Sequence, residues 1–415
     1  MNKLLTKAWL LVLCATALLS ACQTDSDIRP DNAPNLRPLT AQESQLVRSA
    51  NDFAFRSFAT LRKSQADSNL FISPLSISAA LTMTYNGAAG TTKEAMRQTL
   101  GFAPEATDEE INQSYKSLLA LLTGMDKKVS FATANSLWYE QRFQLRAPFV
   151  QLNRSYFDAM VQGLDFTSPS AKNTINDWVE RKTNGKIKDL IERIEPNTAL
   201  YLVNALYFKG TWRYTFDKKL THKEPFYKAD GSTASVDFMT LKGGKYRYYS
   251  DATQQLIDLP YGNGQFSMTL LVPTSQHTLA DITSTLTATQ LTTWLAHADT
   301  ASMELHLPKF KLEYEKDLAE TLKQLGMGIA FTEYLADFSR MMEGQDDLFI
   351  SKVLHKTFLE VNEEGTEAAA ATAVEMMIPI NLAGPPVLRV NRPFLFLIRE
   401  KSTNAILFIG QFVRE

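Results

Sequence analysis

Cysteine is almost missing from this 415-residue chain. Cys14 and Cys22 are the only two. No disulfide framework can therefore hold the body of the chain, and its stability has to come from packing. Histidine is scarce too. His222, His277, His297, His306 and His355 show no metal-ligand spacing, so neither a metal nor a cofactor is expected. Excess charge is absent: 43 Lys and Arg stand against 45 Asp and Glu, a formal net charge of −2. That gives nucleic acid no electrostatic reason to bind. After residue 40 there is no Gly- or Pro-rich linker and no short internal repeat, which favours one continuous domain. A GxSxG elbow, an HExxH pair and a Gly-rich phosphate loop are all missing, so nothing supports an enzyme. What is present is 45 % hydrophobic and 21 % charged, ordinary for a soluble globular protein.

The N-terminus reads differently from the rest. Lys3 and Lys7 flank the start of an apolar stretch, residues 8–19, too short for a comfortable membrane span. It ends in Leu19-Ser20-Ala21-Cys22, which resembles the lipobox of bacterial lipoproteins. The resemblance implies cleavage before Cys22 and a diacylglycerol on its thiol; an ordinary secretory signal that happens to contain cysteine is the alternative. On this reading residues 1–22 are a lipoprotein signal peptide. Residues 23–39, with Pro30, Pro34 and Pro38, are a polar tether. Residues 40–415 are the folded domain, held at the bacterial cell envelope on the outer membrane or cell surface.

The stretch around which the domain is organised is residues 363–382, EEGTEAAAATAVEMMIPINL. Two patterns compete in it. Alanine favours a helix and is depleted in strands. Period-two alternation instead places Thr366, Ala368, Ala370, Thr372, Val374 and Met376 on one small or apolar face, and Glu367 and Glu375 on the other. A surface helix after a strand and an extended segment able to enter a sheet both remain open on pattern alone.

VNEEGTEAAAATA, residues 361–373, resembles the reactive-loop hinge of inhibitory serpins. NRPFLFLIREKSTNAILFIGQFVRE, residues 391–415, resembles that family's C-terminal strand pair. Two further blocks are similar: residues 69–102, where Pro74 opens a helix and Thr91 or Thr92 can cap the next, and LYLVNALYFKGTWRYTFD, residues 200–217, strand-like until Gly210. The likeness runs in family order from residue 40 to the C-terminus. It implies an α+β serpin fold, with three β-sheets, about nine helices and an exposed reactive-centre loop.

The resemblance also assigns roles. The hinge is Glu363, Gly365, Thr366, Ala368, Ala370 and Thr372. A "shutter" under the main sheet comprises Ser73, Pro74, Ser76, Asn204 and His355, with His355 hydrogen-bonded towards Asn204. A "breach", where the loop first enters, comprises Trp212 and a Lys309–Glu363 pair. Suicide inhibition of serine, and also cysteine, proteases is implied. The reactive bond falls at Ile380–Asn381, with Pro379–Ile380 and Met377–Ile378 as alternatives. An isoleucine there suits an elastase-like protease, ahead of chymotrypsin- or cathepsin-like ones, and no Arg or Lys lies near for a trypsin-like one. Residues 108–123 offer only Lys116 as a base, so no heparin site is evident, and a monomer is expected. The rival functions are a non-inhibitory carrier, a chaperone or a surface adhesin on the same scaffold. Small hinge residues argue against the first two, because bulky or charged ones would resist insertion.

Overall fold

Thr40 opens the first helix, α1 (Ala41–Ser64), through a capping box. Its hydroxyl accepts from the Glu43 amide at 3.1 Å, and the Glu43 carboxylate accepts from the Thr40 amide at 2.8 Å. Val47, Phe53, Phe55, Phe58 and Leu61 are buried. Then come β1 (Leu70–Ile72), α2 (Pro74–Tyr85), α3 (Gly90–Leu100) and α4 (Asp108–Gly124). α3 is capped from Ala89; Thr91 and Thr92 lie inside its first turn, and Thr92 Oγ1 instead accepts from the Asp337 amide at 2.9 Å. The computed structural model describes residues 36–414 apart from 197, 345–347 and 367–385, with the backbone alone at 131–133 and 205–207. Within it, the unit Pro34–Glu415 is compact.

The middle of the chain supplies β2 (Val129–Glu140), α5 (Ala147–Phe157), β3 (Met160–Leu164), α6 (Pro169–Lys182) and β4 (Leu200–Thr211). α6 stops where Asn184 and Gly185 take positive φ of 52° and 76°. β5 (His222–Tyr227), β6 (Thr233–Ser250), β7 (Gln254–Pro260) and β8 (Phe266–Pro273) follow, then α7 (Leu279–Thr285) and α8 (Ala288–Ala296). β9 (Asp299–Pro308) and β10 (Phe310–Asp317) lead to a short α9 (Ala319–Leu322), cut off by a wide turn in which Gly326 adopts φ 114°. The last strands are β11 (Leu354–Asn362), β12 (Gly365–Thr366), β13 (Val387–Arg389), β14 (Phe394–Glu400) and β15 (Ile406–Phe412).

These strands make three sheets. The main sheet runs β10-β11-β12-β4-β2-β3. The other nine strands form one hydrogen-bonded path, β1-β15-β14-β8-β7-β6-β9-β13, with β5 also on β6. The long β6 divides that path: its first part pairs with β5, its last part with β7, and its ladder with β9 shifts register between Leu241 and Gly244. Phe71, Phe396, Phe408, Phe310, Phe394 and Phe412 pack ring to ring between the layers, with centroids 4.9–6.2 Å apart. Burying each such ring contributes about 1.5–3 kcal/mol. One buried ion pair crosses the second sheet. Arg399 Nη2 lies 3.0 Å from Asp258 Oδ1, while Arg399 Nε donates to Thr269 Oγ1 at 2.8 Å.

Candidate functional site: a half-filled slot in the main sheet

Two central strands of the main sheet, β11 and β4, each pair antiparallel with β12 and so run parallel to one another. β12 is two residues long. Thr366 stands opposite Val361 and Gly210, and Gly365 opposite Asn362 and Thr211. Beyond Thr366, among the described residues, no ladder joins β11 directly to β4. The sheet thus holds a slot whose upper end is filled by the start of residues 363–382.

The filled end is densely bonded. Glu363 is 4 % exposed. Its Oε2 lies 3.1 Å from Lys309 Nζ and its Oε1 accepts from Thr221 Oγ1 at 2.8 Å. Burial pushes the Glu363 carboxyl up, but its own amide, Thr221 and Lys309 outweigh that and hold it below the usual carboxylate range. The neighbouring Glu364 pairs with Lys218 at 2.6 Å. Trp212 ties the turn down twice: its amide donates to Glu364 O and its indole Nε1–H to Asn362 O, each at 2.9 Å. Its ring stacks on Tyr261, with centroids 4.3 Å apart and planes 10° off parallel. Thr366, only 2 % exposed, turns inward, its hydroxyl 2.7 Å from that of Tyr261.

Two glycines permit this approach. Gly365 sits at φ 145°, and a Cβ there would lie 2.1 Å from the Gly210 carbonyl oxygen. At Gly210 a Cβ would meet the Tyr261 ring at 2.8 Å. Gly210 therefore does not end its strand, as sequence pattern predicts; it lies within β4 and makes room for an aromatic ring. The contacts of Thr221 with Glu363 and of Tyr261 with Thr366 join residues far apart in the chain. The aromatic residue directly before Gly262-Asn263-Gly264 is the signal that marks Tyr261, since a turn alone does not need it.

The open end of the slot is a cavity of about 320 Å³. Ser76 and Ile77 of α2, Leu200, Leu202 and Asn204 of β4, and Leu354 and His355 of β11 help to line it. Ser73 lies beside it, at the N-cap ahead of Pro74. The Ser73 amide donates to His355 Nε2 at 3.1 Å, and Ser73 Oγ donates to Leu407 O at 2.8 Å. His355 is buried, which pushes its imidazole down to about 3 and keeps it neutral. The bond expected between His355 and Asn204 is not formed. Asn204 Nδ2 donates to Asn135 Oδ1, and the buried Asn204 Oδ1 has no partner among the described residues. His355 is satisfied from α2 instead, so the two residues share the cavity without bonding across it.

Ala368, Ala370, Thr372, Met377, Ile378, Pro379, Ile380, Asn381 and Cys22 lie outside the described residues. Among the described residues no group of three or more His, Cys, Asp or Glu is set to hold a metal.

Residues 48–415 match the family model described as "Serpin (serine protease inhibitor)". Serpin B6 of Pongo abelii is 37 % identical over 374 residues, covering 88 % of this chain and 98 % of that protein. Tengpin, a thermophilic serpin solved in its native state, superposes with a TM-score of 0.80 at 31 % identity, covering 92 % of this chain and 97 % of that one. Human thyroxine-binding globulin, solved with its ligand, gives a TM-score of 0.83 at 30 % identity over 90 % of this chain and 99 % of the other. Three sheets, nine helices among the described residues and these matches over nearly the whole domain agree: the chain belongs to the serpin family.

Proposed function

We propose that this protein is a suicide inhibitor of proteases that acts by inserting its own cut loop into the slot between β11 and β4. The observation that carries the reading is the slot itself, filled by Gly365 and Thr366 and, among the described residues, without a ladder beyond them. Continuing the register of Thr366 against Gly210 brings Met376 opposite Leu200 at the cavity end. The residues sharing Thr366's face are then Ala368, Ala370, Thr372, Val374 and Met376. All are small or apolar, so none brings a charge inside.

The chemistry begins at Ile380–Asn381. The protease nucleophile attacks the Ile380 carbonyl, the peptide bond to Asn381 breaks with its new amine leaving, and Ile380 remains esterified to the protease. From Thr366 to Pro379 is about 13 strand steps of roughly 3.3 Å, on the order of 40 Å. Insertion therefore carries the acylated protease across the domain, and distortion of its active site blocks deacylation. The intact protein is the kinetically trapped partner of a more stable inserted form.

An elastase-like protease fits Ile380 best. Mixing the protein with elastase, chymotrypsin, a cathepsin and trypsin should give an SDS-stable band with the first and none with trypsin. Mass spectrometry of the released peptide should show it to begin at Asn381. A start at Ile380 or Ile378 would move the reactive bond to Pro379 or Met377. Cleavage of the loop by every protease with no covalent band would leave the carrier, chaperone or adhesin reading.

The location is part of the same proposal. Cleavage falls before Cys22, which stays as the lipidated first residue, and residues 23–39 hold the domain off a bacterial envelope membrane. The charge, apolar length and small residues ahead of Cys22 support it. Full-length protein should enter the detergent phase of a two-phase partition and Cys22→Ala should not; a wild type found in the aqueous phase refutes the anchor.

A further inference from the structure

After residues 367–385 comes β13, a strand of three residues that pairs, among the described residues, with β9 alone. Val387 stands opposite Glu304, Leu388 opposite Leu305 and Arg389 opposite His306. Two backbone bonds bracket it: the Glu304 amide donates to Pro386 O and the Val390 amide to His306 O, each at 2.9 Å. Leu388 is buried, but Val387 is 46 % exposed. The strand's other holds are the buried Leu388 and Val390 and a bond from the Tyr227 amide to Asn391 O just beyond it, so its pairing rests on residues 304–306.

Those residues carry an unusual cluster. His306 is 4 % exposed, and both of its ring nitrogens face carboxylates. Nδ1 lies 2.6 Å from Glu224 Oε1 on β5, and Nε2 lies 2.8 Å from Glu304 Oε1 on its own strand. His222, on β5 and exposed, also points Nε2 at Glu224 Oε1, at 3.0 Å, while its Nδ1 lies 2.9 Å from Leu220 O. Arg389 of β13 brings Nε to 3.7 Å from Glu224 Oε2. Glu224, Glu304, His222 and Arg389 are the charged and titratable groups that face His306. β6 sets Thr240 opposite it, and Lys223 is taken by Asp237 at 3.6 Å.

A neutral imidazole has one N–H, and an ionised carboxylate can only accept. Both contacts of His306 are therefore hydrogen bonds only when the ring carries two protons. Removing one leaves a nitrogen lone pair against a carboxylate oxygen and leaves two carboxylates with one donor fewer between them. We propose that Glu224, His306 and Glu304 form a proton-loaded clasp that fixes β9 to β5, and through β9 holds β13 and the far end of the reactive loop in place. The clasp is closed while His306 is an imidazolium. It opens when the ring gives up one of its two protons, whereupon Glu304 turns to solvent and β13 loosens. Its link to the loop rests on the proposed function; its test does not.

Hydrogen exchange of the full-length protein, corrected for intrinsic rates, should be compared at about pH 6 and about pH 8.5. The Glu304 and Val390 amides should lose about tenfold in protection at the higher pH, the scale of one charged hydrogen bond, while amides of β14 and β15 keep theirs. His306→Gln should show no such loss, and Glu304→Gln should show it reduced; the second variant serves where the first fails to fold. A wild type with pH-independent protection at these amides, the same loss in both variants, or parallel loss in β14 and β15 would overturn the clasp. So would a loss seen only after EDTA, since the cluster would then be holding a divalent cation in place of the proton.

Discussion

Thr366→Arg tests the slot at its occupied end. Thr366 is already inward, paired on both sides and bonded to the Tyr261 hydroxyl. An arginine there has two courses. It can carry an unpaired guanidinium beside Tyr261, at about 3–5 kcal/mol. Or it can withdraw β12, giving up the Thr366–Tyr261 bond, worth about 1 kcal/mol, and holding the first residues of the loop outside. The second is cheaper in the intact protein, so the variant should fold. After cleavage the first course cannot be avoided, because the whole loop must follow Thr366 in. A barrier raised by about 3–5 kcal/mol slows insertion on the order of 10²- to 10⁴-fold. Attack at Ile380 lies well along the loop and is untouched, so the acyl-enzyme has time to hydrolyse. The expected result is a switch from inhibitor to substrate: full cleavage, active protease, no covalent band. Cleaved wild type should also melt far above the intact protein, and the cleaved variant should gain much less. If Thr366→Arg forms the covalent complex at the wild-type stoichiometry, insertion through this slot is not the mechanism.

Three further outcomes follow from the same geometry. His355 is held neutral at about 3 against about 6.5 unfolded. The unfolded chain therefore binds the extra proton first, so stability is full above pH 6.5 and falls as pH drops towards 3. At about pH 5 the loss is on the order of 2 kcal/mol, read as a lower urea midpoint that His355→Gln should not show; equal slopes for both proteins would count against it. Arg399→Met leaves the buried Asp258 with the Thr269 hydroxyl and the nearby Lys401 charge but no direct ion pair, and should cost about 3–5 kcal/mol, part of which Asp258→Asn should restore. A loss below about 1 kcal/mol would show the pair to be solvated. Gly365→Ala forces a Cβ against the Gly210 carbonyl and should expel β12 at a cost of about 1–3 kcal/mol, seen as faster exchange at the Trp212 amide; unchanged exchange would mean the turn simply shifts.

Much of this was legible in the chain. The helix opened by Pro74 and the strand-like run from residue 200 rest on local chemistry, and both appear where the pattern places them. The conflict between alanine propensity and period-two alternation falls on alanines outside the described residues; ahead of them Gly365 and Thr366 are extended because Gly210 and Tyr261 receive them there. What could not be read is what depends on distant contacts. Tyr261 and Thr221 meet residues 363–366 across more than a hundred positions of sequence. The partner of His355 was placed on β4, but the Ser73 amide takes it because the start of α2 lies directly beneath β11. His306, set aside for want of metal spacing, owes its importance to Glu224, eighty-two residues away.

The two strands that line the slot share, among the described residues, no ladder beyond Thr366 inside their one sheet. Such an acceptor reads backbone, and backbone is the same in every copy of the chain. Its preference for its own loop is therefore a matter of local concentration. The loop is tethered at Gly365, which places it at an effective concentration on the order of millimolar, far above that of any neighbour's loop in dilute solution. Two copies crowded side by side on one surface would narrow that margin. On the proposed mechanism, the spacing between molecules then becomes as much a determinant of which strand fills the sheet as the hinge residues are.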